Sequence, residues 1–451
     1  MTAPSVAVVG GGIAGLAAAW ELLAAGAAVT LHEAGDRLGG AVLTADVGGR
    51  PVDLGPDALL ARVPHAVALC HELGLGAELV HPAAEGASIW WGGRLRPLPR
   101  GLVMGAPAGP GGLAGLVRAG LVSPAGAARA ALDLVRPATR WGPDPSVADL
   151  VVGRLGPQVH ERVVDPLVGG IHAGPSALLS ARSAAPPLAD AAASRSLVLG
   201  LRRARAAGGG AGPVFASLRG GLGRLVARLE EALRAGGADV RLGAAVAAVP
   251  VPGAAATVLA VPAGAAARLV ARSSPAAAAE LAAVDHASVA VAVLVYPAGA
   301  VRRPLHGTGF LVPAGEGRLV TACSFGSAKW PHWAGPGEVV LRASAGRWGD
   351  GRALELGDAE LVDRVHAELA EALGLAAGPR TARVARWPGA LPQYRPGHAG
   401  RVGRVEAALA RDAPTVAVAG AAYRGVGIAA CIASGRAAAR RALEEAAAAG
   451  G

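Results

Sequence analysis

Residues 5–40, SVAVVGGGIAGLAAAWELLAAGAAVTLHEAGDRLGG, decide how the chain folds. Val6, Val8 and Val9 lie in an apolar run short enough for a buried parallel strand. The run breaks into Gly10-x-Gly12-x-x-Gly15, an alanine-rich helix follows to Ala25, and Gly26 stops it. A second apolar run, Ala28 to His32, ends on Glu33. In such a strand–turn–helix–strand unit Gly10 allows the tight turn, Gly12 lets backbone approach a pyrophosphate, and Gly15 lets helix pack on strand. Unpaired N–H groups at the helix start face the phosphates. Glu33 is placed to accept hydrogen bonds from an adenosine ribose, and its charge argues against the 2′-phosphate of NADP. The tail Glu33-Ala34-x-x-Arg37-x-Gly39-Gly40 points to FAD, with the chain turning back over the pyrophosphate and Arg37 adding positive charge.

At 451 residues the chain is long enough for two or three domains. Hydrophobic residues at 52% and charged residues at 17% exclude a disordered protein. Lys329 is the only lysine, so arginine carries nearly all of a net charge of +10. No basic run interleaves with aromatics, which excludes a nucleic-acid partner and leaves an arginine-rich solvated surface as the ordinary account of the charge. Cys70, Cys323 and Cys431 have neither metal-ligand nor disulfide spacing, so we expect no metal and a reducing, cytoplasmic location. Neither an export signal nor a membrane-spanning run is expected, while a mean hydropathy of +0.41 leaves peripheral membrane contact as the most that is expected.

Further along, Gly55-Pro56-Asp57-Ala58 forms a rigid turn able to present backbone N–H groups beside a flavin. Ala66 to Leu73 reads as a helix, and Ser88 to Leu98 as a hairpin turning at Gly92-Gly93. Residues 101–140 carry short helical pieces, and 147–168 read as helix running into a glycine-rich break, Asp165 to Gly174. Ala207 to Pro213 is a flexible crossing, after which Arg224 to Ala235 is helical, and Val240 to Val246 and Thr257 to Val261 are strands. Runs between 287 and 345 suggest a mainly antiparallel sheet, followed by a helix from Asp358, as N-cap, to Leu373. Arg383 to Trp387 is expected to return towards the nucleotide fold, and Val402 to Ala410 is helical. The chain closes on a strand, Thr415 to Ala419, a second glycine turn, Gly425-x-Gly427, and a helix to Arg441. The positive end of that helix can stabilise charge on a reduced flavin's pyrimidine edge.

Taken together, the motifs resemble the FAD-dependent porphyrinogen oxidases of haem synthesis, within the amine-oxidase-like flavoproteins. GGGIAGLAAA, EAGDRLGG and GAAYRGVGIAACIASGRAAA carry the general likeness. LGPDALLAR (54–62), RLRPLPRGLVMGAP (94–107), DPLVGGIHAG (165–174), GTGFLVP (307–313), TACSFGSAKWPH (321–332) and WPGALPQYRPGH (387–398) carry the specific one. The resemblance is closest to the bacterial, soluble branch, which oxidises coproporphyrinogen III to coproporphyrin III.

It implies an α/β fold: a Rossmann-type FAD-binding domain of interleaved segments (1–62, 214–270 and 381–451), an α+β substrate domain (80–100 and 271–380) and a helical subdomain (101–213). It implies FAD contacts at Gly10, Gly11, Gly12, Ile13, Ala14, Gly15, Glu33, Ala34, Arg37, Gly39, Gly40, Ala41, Gly55 to Ala58, Val246, Trp387, Val426, Gly427 and Ile428. Between Val246 and Val258 the family usually carries a longer excursion with extra strands, and here only a short link remains. His172 stands where relatives often have a tyrosine. The reaction implied removes six electrons from a tetrapyrrole in three hydride transfers to flavin N5, with dioxygen reduced to hydrogen peroxide. Downstream haem-pathway enzymes are candidate partners.

No nucleophilic triad or carboxylate pair is evident, and no catalytic side chain is assigned. Arg62, Arg94, Arg96 and Arg182 are candidates for substrate carboxylates, and His172 is a further candidate substrate contact. Protoporphyrinogen IX is the alternative substrate. An amine or polyene oxidase, or a flavin-binding protein without turnover, are further alternatives.

Overall fold

A computed structural model describes residues 3–207 and 212–450. Ser5–Val9 is the central strand of a five-stranded sheet whose order is Asp239–Arg241, Ala28–His32, Ser5–Val9, Ala256–Leu259, Val416–Val418. Every pair in it is parallel. A parallel sheet needs cover on both faces, which is why Ser5–Val9, Ala256–Leu259 and Val416–Val418 are mostly apolar and buried, while the edge strand Asp239–Arg241 exposes both its charged residues. Helices Ile13–Ala24, Gly223–Ala235 and Ile428–Gly450 supply one cover through Leu16, Leu22, Leu229 and Ile432. Helices Ala263–Val270, Pro275–Ala282 and His398–Asp412 supply the other, with Val270, Leu281 and Val405 in one cluster with Val9 and Leu259 of the strands.

A seven-stranded sheet has the order Thr381–Pro392, His286–Pro297, Glu338–Ala345, Val320–Ser324, Gly309–Leu311, Ser88–Trp91, Arg94–Pro97. It is antiparallel except where Gly309–Leu311 runs alongside Ser88–Trp91. The period-two alternation divides its side chains. Leu294, Tyr296, Leu341 and Ala343 pack towards helix Asp358–Leu373. Val291, Val293, Val295 and Val340 pack with Val52, Leu54, Trp330 and Trp333 instead. A third core, around Leu116, Leu150, Val163, Leu188 and Leu201, belongs to the helices between Pro110 and Ala207.

Several elements differ from expectation. The Val240–Val246 strand shortens to Asp239–Arg241, because Gly243 turns the chain so that its N–H meets Gly35 O and the Ala244 N–H meets Glu33 O, both at 2.8 Å. Residues 242–255 contain no strand, so the link is as short in space as in sequence. Arg383–Trp387 lies within Thr381–Pro392, at the edge of the seven-stranded sheet rather than in the parallel one. Gly357, not Asp358, caps helix Asp358–Leu373, and the Asp358 carboxylate pairs with Arg386. Asp165–His172 is helix rather than a glycine-rich break, and the chain reverses at Ala173 (φ 49°). Gly169 is needed there because a Cβ would lie 2.9 Å from Gly174 O. The last helix continues past Arg441 because ALEEAAAA is strongly helix-forming. Within the expected crossing, 208–211 lie outside the described residues. Among the described residues no helix is long and apolar enough to cross a membrane.

Candidate active site

The first glycine turn sits where strand Ser5–Val9 meets helix Ile13–Ala24. Gly10 has φ 106°, and its N–H donates to His32 O at 2.8 Å, tying the turn to the neighbouring strand. A Cβ on Gly15 would stand 1.9 Å from Gly10 O, so the helix could not seat against the turn with any other residue. Gly12, the N-cap, is the opposite case: its missing Cβ points into open space, where a pyrophosphate has room. The Glu33 carboxylate is aimed back at this turn by N–H donors from Gly11 and Gly35, each at 2.7 Å. Gly39 N–H donates to Gly11 O at 2.8 Å, and a Cβ on Gly40 would meet Gly12 Cα at 3.2 Å. The Arg37–Ala41 loop therefore folds directly onto the first turn. Arg37 is exposed, and its guanidinium braces the loop through Leu38 O and Gly40 O at 3.1 and 2.7 Å.

The second turn, Gly420 to Gly427, follows strand Val416–Val418, separated from Ser5–Val9 only by Ala256–Leu259. Both turns leave the same end of one parallel sheet, which is where α/β folds bind ligands. Helix Ile428–Gly450 lies against helix Ile13–Ala24 so closely that a Cβ on Gly435 would be 2.0 Å from Ala14 O. The shape of the turn is set from outside. Tyr394 accepts the Gly425 N–H at 2.8 Å and donates to Ala421 O, and His398 Nε2 donates to Tyr423 O at 2.9 Å. Tyr394 and His398 stack with ring centroids 4.1 Å apart, and His172 adjoins Tyr394 at 5.5 Å. Burial lowers the pKa of both histidines, that of His172 to about 4 against an opposing backbone hydrogen bond at Ala184, so the three rings are neutral at pH 7.

Gly55 to Ala58 forms a third wall. Gly55 packs on Ala41 O, where a Cβ would come within 1.8 Å. Arg342 donates to Asp53 O at 3.3 Å and to Gly55 O. Lys329 Nζ bonds Asp57 Oδ2 at 2.8 Å, with Trp330 Nε1 on the same oxygen at 3.3 Å. Burial alone would raise the Asp57 carboxyl, but Lys329 and Arg342 outweigh it and hold it below its ordinary value. Trp387 Nε1 donates to Leu54 O at 3.0 Å.

The remaining predicted residues scatter. Val246 packs beside Val9 and Leu259, next to the first turn. Ala34 and Ala41 are exposed along the Arg37 loop. Arg62 is exposed, with Nη2 on Gly212 O at 3.0 Å, and Arg182 is exposed on helix Ala181–Ala184. Arg94 and Arg96 lie on the edge strand farthest from Trp387, and Arg96 is committed to Trp91 O and Ala119 O. His172 is 3% exposed and belongs to the ring stack. Sequence reasoning missed Tyr394, His398 and Arg342. It saw Lys329 only as a compositional oddity, although a single lysine in an arginine-rich chain was the signal.

Two glycine turns at one sheet end, an acid for a ribose and a charge-braced turn between them fit an extended dinucleotide, and they define an FAD-dependent oxidoreductase. Residues 13–443 match the family described as flavin containing amine oxidoreductase, and the chain belongs to that family. Its cofactor is FAD. The chain is 40% identical to the coproporphyrinogen III oxidase of Mycobacterium tuberculosis (H37Rv), over 97% of both. It is 34% identical, with the same coverage, to the protein of that name from Bacillus subtilis (strain 168). A crystal structure of a candidate protoporphyrinogen oxidase from Exiguobacterium superimposes with a TM-score of 0.86 at 31% identity, over 98% of this chain and 100% of that one.

Proposed function

We propose that the protein oxidises coproporphyrinogen III to coproporphyrin III with FAD and dioxygen, releasing hydrogen peroxide, as a step of haem biosynthesis. The observation that carries this reading is the match along 97% of the chain to relatives named coproporphyrinogen III oxidase. FAD, when bound, would supply the hydride acceptor and the chemistry that reduces dioxygen.

The chain's own residues bind and orient. Gly10 to Gly15 receive the pyrophosphate, Glu33 the ribose, and Ala34, Arg37, Gly39, Gly40, Ala41 and Val246 enclose the adenosine half. Gly55 to Ala58, Trp387 and Val426 to Ile428 enclose the ring half, with Lys329, Arg342, Tyr394 and His398 holding those turns from behind. Beside the ring half, Leu311, Ala322, Ser344, Val291 and Ala385 form one cross-strand row of the seven-stranded sheet. Most of them are small and partly exposed, a floor suited to a flat macrocycle. The floor carries no titratable side chain, in keeping with hydride removal that needs shape and dryness more than acid–base catalysis. Arg182 makes no side-chain hydrogen bond or ion pair among the described residues and can meet a propionate, whereas Arg62 already has Nη2 on Gly212 O.

Protoporphyrinogen IX is the second reading, favoured by 31% identity to the protoporphyrinogen oxidase of Bos taurus. The two porphyrinogens, prepared anaerobically and added separately while porphyrin fluorescence and peroxide are followed, separate the readings. Faster turnover of the four-propionate substrate is expected. Turnover of neither defeats both.

A further inference from the structure

Arg347 stands two residues beyond strand Glu338–Ala345, half-buried, and its guanidinium makes no hydrogen bond or ion pair among the described residues. The carboxylates whose charge favours it are Asp350 and Asp165. Both are already engaged. Asp350 holds Arg352 through two contacts at 2.9 and 2.7 Å, and Asp165 accepts the Ser176 N–H and O–H at 2.8 and 2.6 Å. A guanidinium stays charged, and burying it without a counter-ion is costly. Arg342, five residues earlier on the same strand, shows the contrast, with its donors committed to the carbonyls of Asp53 and Gly55.

The position of Arg347 explains what its missing partner is. Gly346 abuts Val289, whose cross-strand partner Trp387 reaches Leu54 O, so this end of the sheet is the end facing the Gly55 turn. On the same face Leu311 lies 3.5 Å from where a Cβ of Gly170 would be, which places helix Asp165–His172 over the floor. The turn carrying Arg347 is fastened to that helix's end by the Trp348 N–H on Ala173 O at 2.6 Å. Arg347 thus occupies the corner shared by floor, roof and cofactor-side turn. We propose that Arg347 binds a carboxylate of the substrate, a propionate at the macrocycle's edge. This rests on the porphyrinogen reading above.

The test uses the FAD-loaded protein and coproporphyrin III as binding probe, read by porphyrin fluorescence. Arg347→Gln is expected to weaken binding by about 10- to 100-fold, the range for a lost charge-assisted hydrogen bond. KM for coproporphyrinogen III should rise in step while kcat stays within about twofold. Arg347→Lys, which keeps the charge and loses the fork, should fall between the two, and it serves if the glutamine variant does not fold. The uncharged tetramethyl ester should bind wild type and variants alike. A folded Arg347→Gln protein that binds coproporphyrin III as tightly as wild type overturns the inference. Wild-type protein that neither binds nor oxidises the porphyrin pair overturns the underlying reading instead.

Discussion

Tyr394 Oη takes the Gly425 N–H at 2.8 Å and gives its own proton to Ala421 O, so one hydroxyl closes both sides of the second glycine turn. The hydroxyl is available because the ring is clamped between His398 and His172. Tyr394→Phe keeps the clamp and leaves a partly buried N–H without this acceptor, a loss of about 1–3 kcal/mol. The expected result is a folded protein that holds FAD about 5- to 100-fold less tightly, measured by flavin fluorescence on titrating the apoprotein. An unchanged affinity would mean the turn is not shaped by Tyr394.

Gly12 and Gly15 separate folding from cofactor binding. Gly15→Ala places a methyl 1.9 Å from Gly10 O, so turn or helix must move. That variant should lose both thermal stability and flavin. Gly12→Ala meets nothing within 4 Å. It should fold with a loss of about 1 kcal/mol or less, near the smallest losses seen on placing alanine at an N-cap, yet be purified colourless. Yellow Gly12→Ala protein would move the pyrophosphate elsewhere.

Lys329 and Asp57, with side chains only 13% and 14% exposed, join the Gly55 turn to the segment before strand Glu338–Ala345. Lys329→Met leaves a buried carboxylate with only Trp330 Nε1 as direct partner and Arg342 as nearby charge. Breaking such a pair from one side costs about 3–5 kcal/mol, a fall readable in urea unfolding. The double variant Lys329→Met/Asp57→Asn should recover part of that loss, since the uncompensated charge is gone.

Residues 5–40 were legible because their logic is local: strand, turn, helix and acid lie within one contiguous unit. What joins the site together is not local. Tyr394 meets Gly425 across 31 residues and Lys329 meets Asp57 across 272, and no spacing rule reports such contacts. The run Arg383 to Trp387 has the length of a strand in either sheet, and its pairing with His286–Pro297 decides between them. Arg96 looked available for a carboxylate because type and neighbourhood were all the sequence offered. The carbonyls of Trp91 and Ala119 claim it in the fold.

Asp53 makes the stability of this region depend on pH. Its Oδ1 accepts from Thr44 and from the Leu222 N–H at 2.9 Å, while Oδ2 is buried without a partner. Burial first, and the nearby Asp57 charge with it, push its pKa up to about 7 against the opposing pull of Thr44, Leu222 and Arg342. In the unfolded chain the carboxyl loses its proton near the ordinary 3.8, so between that pH and about 7 the folded state holds one proton more. Stability from this group is therefore complete below about pH 4 and declines as pH rises, by up to about 1.4 kcal/mol per pH unit. Asp53→Asn cannot titrate and keeps the acceptor for Thr44 and Leu222. Unfolding in urea at pH 4.5, 5.5 and 6.5 should show the variant gaining on wild type at each step. Parallel curves would place the Asp53 proton outside the fold's control, because the other carboxylates titrate equally in both proteins and cancel in the difference.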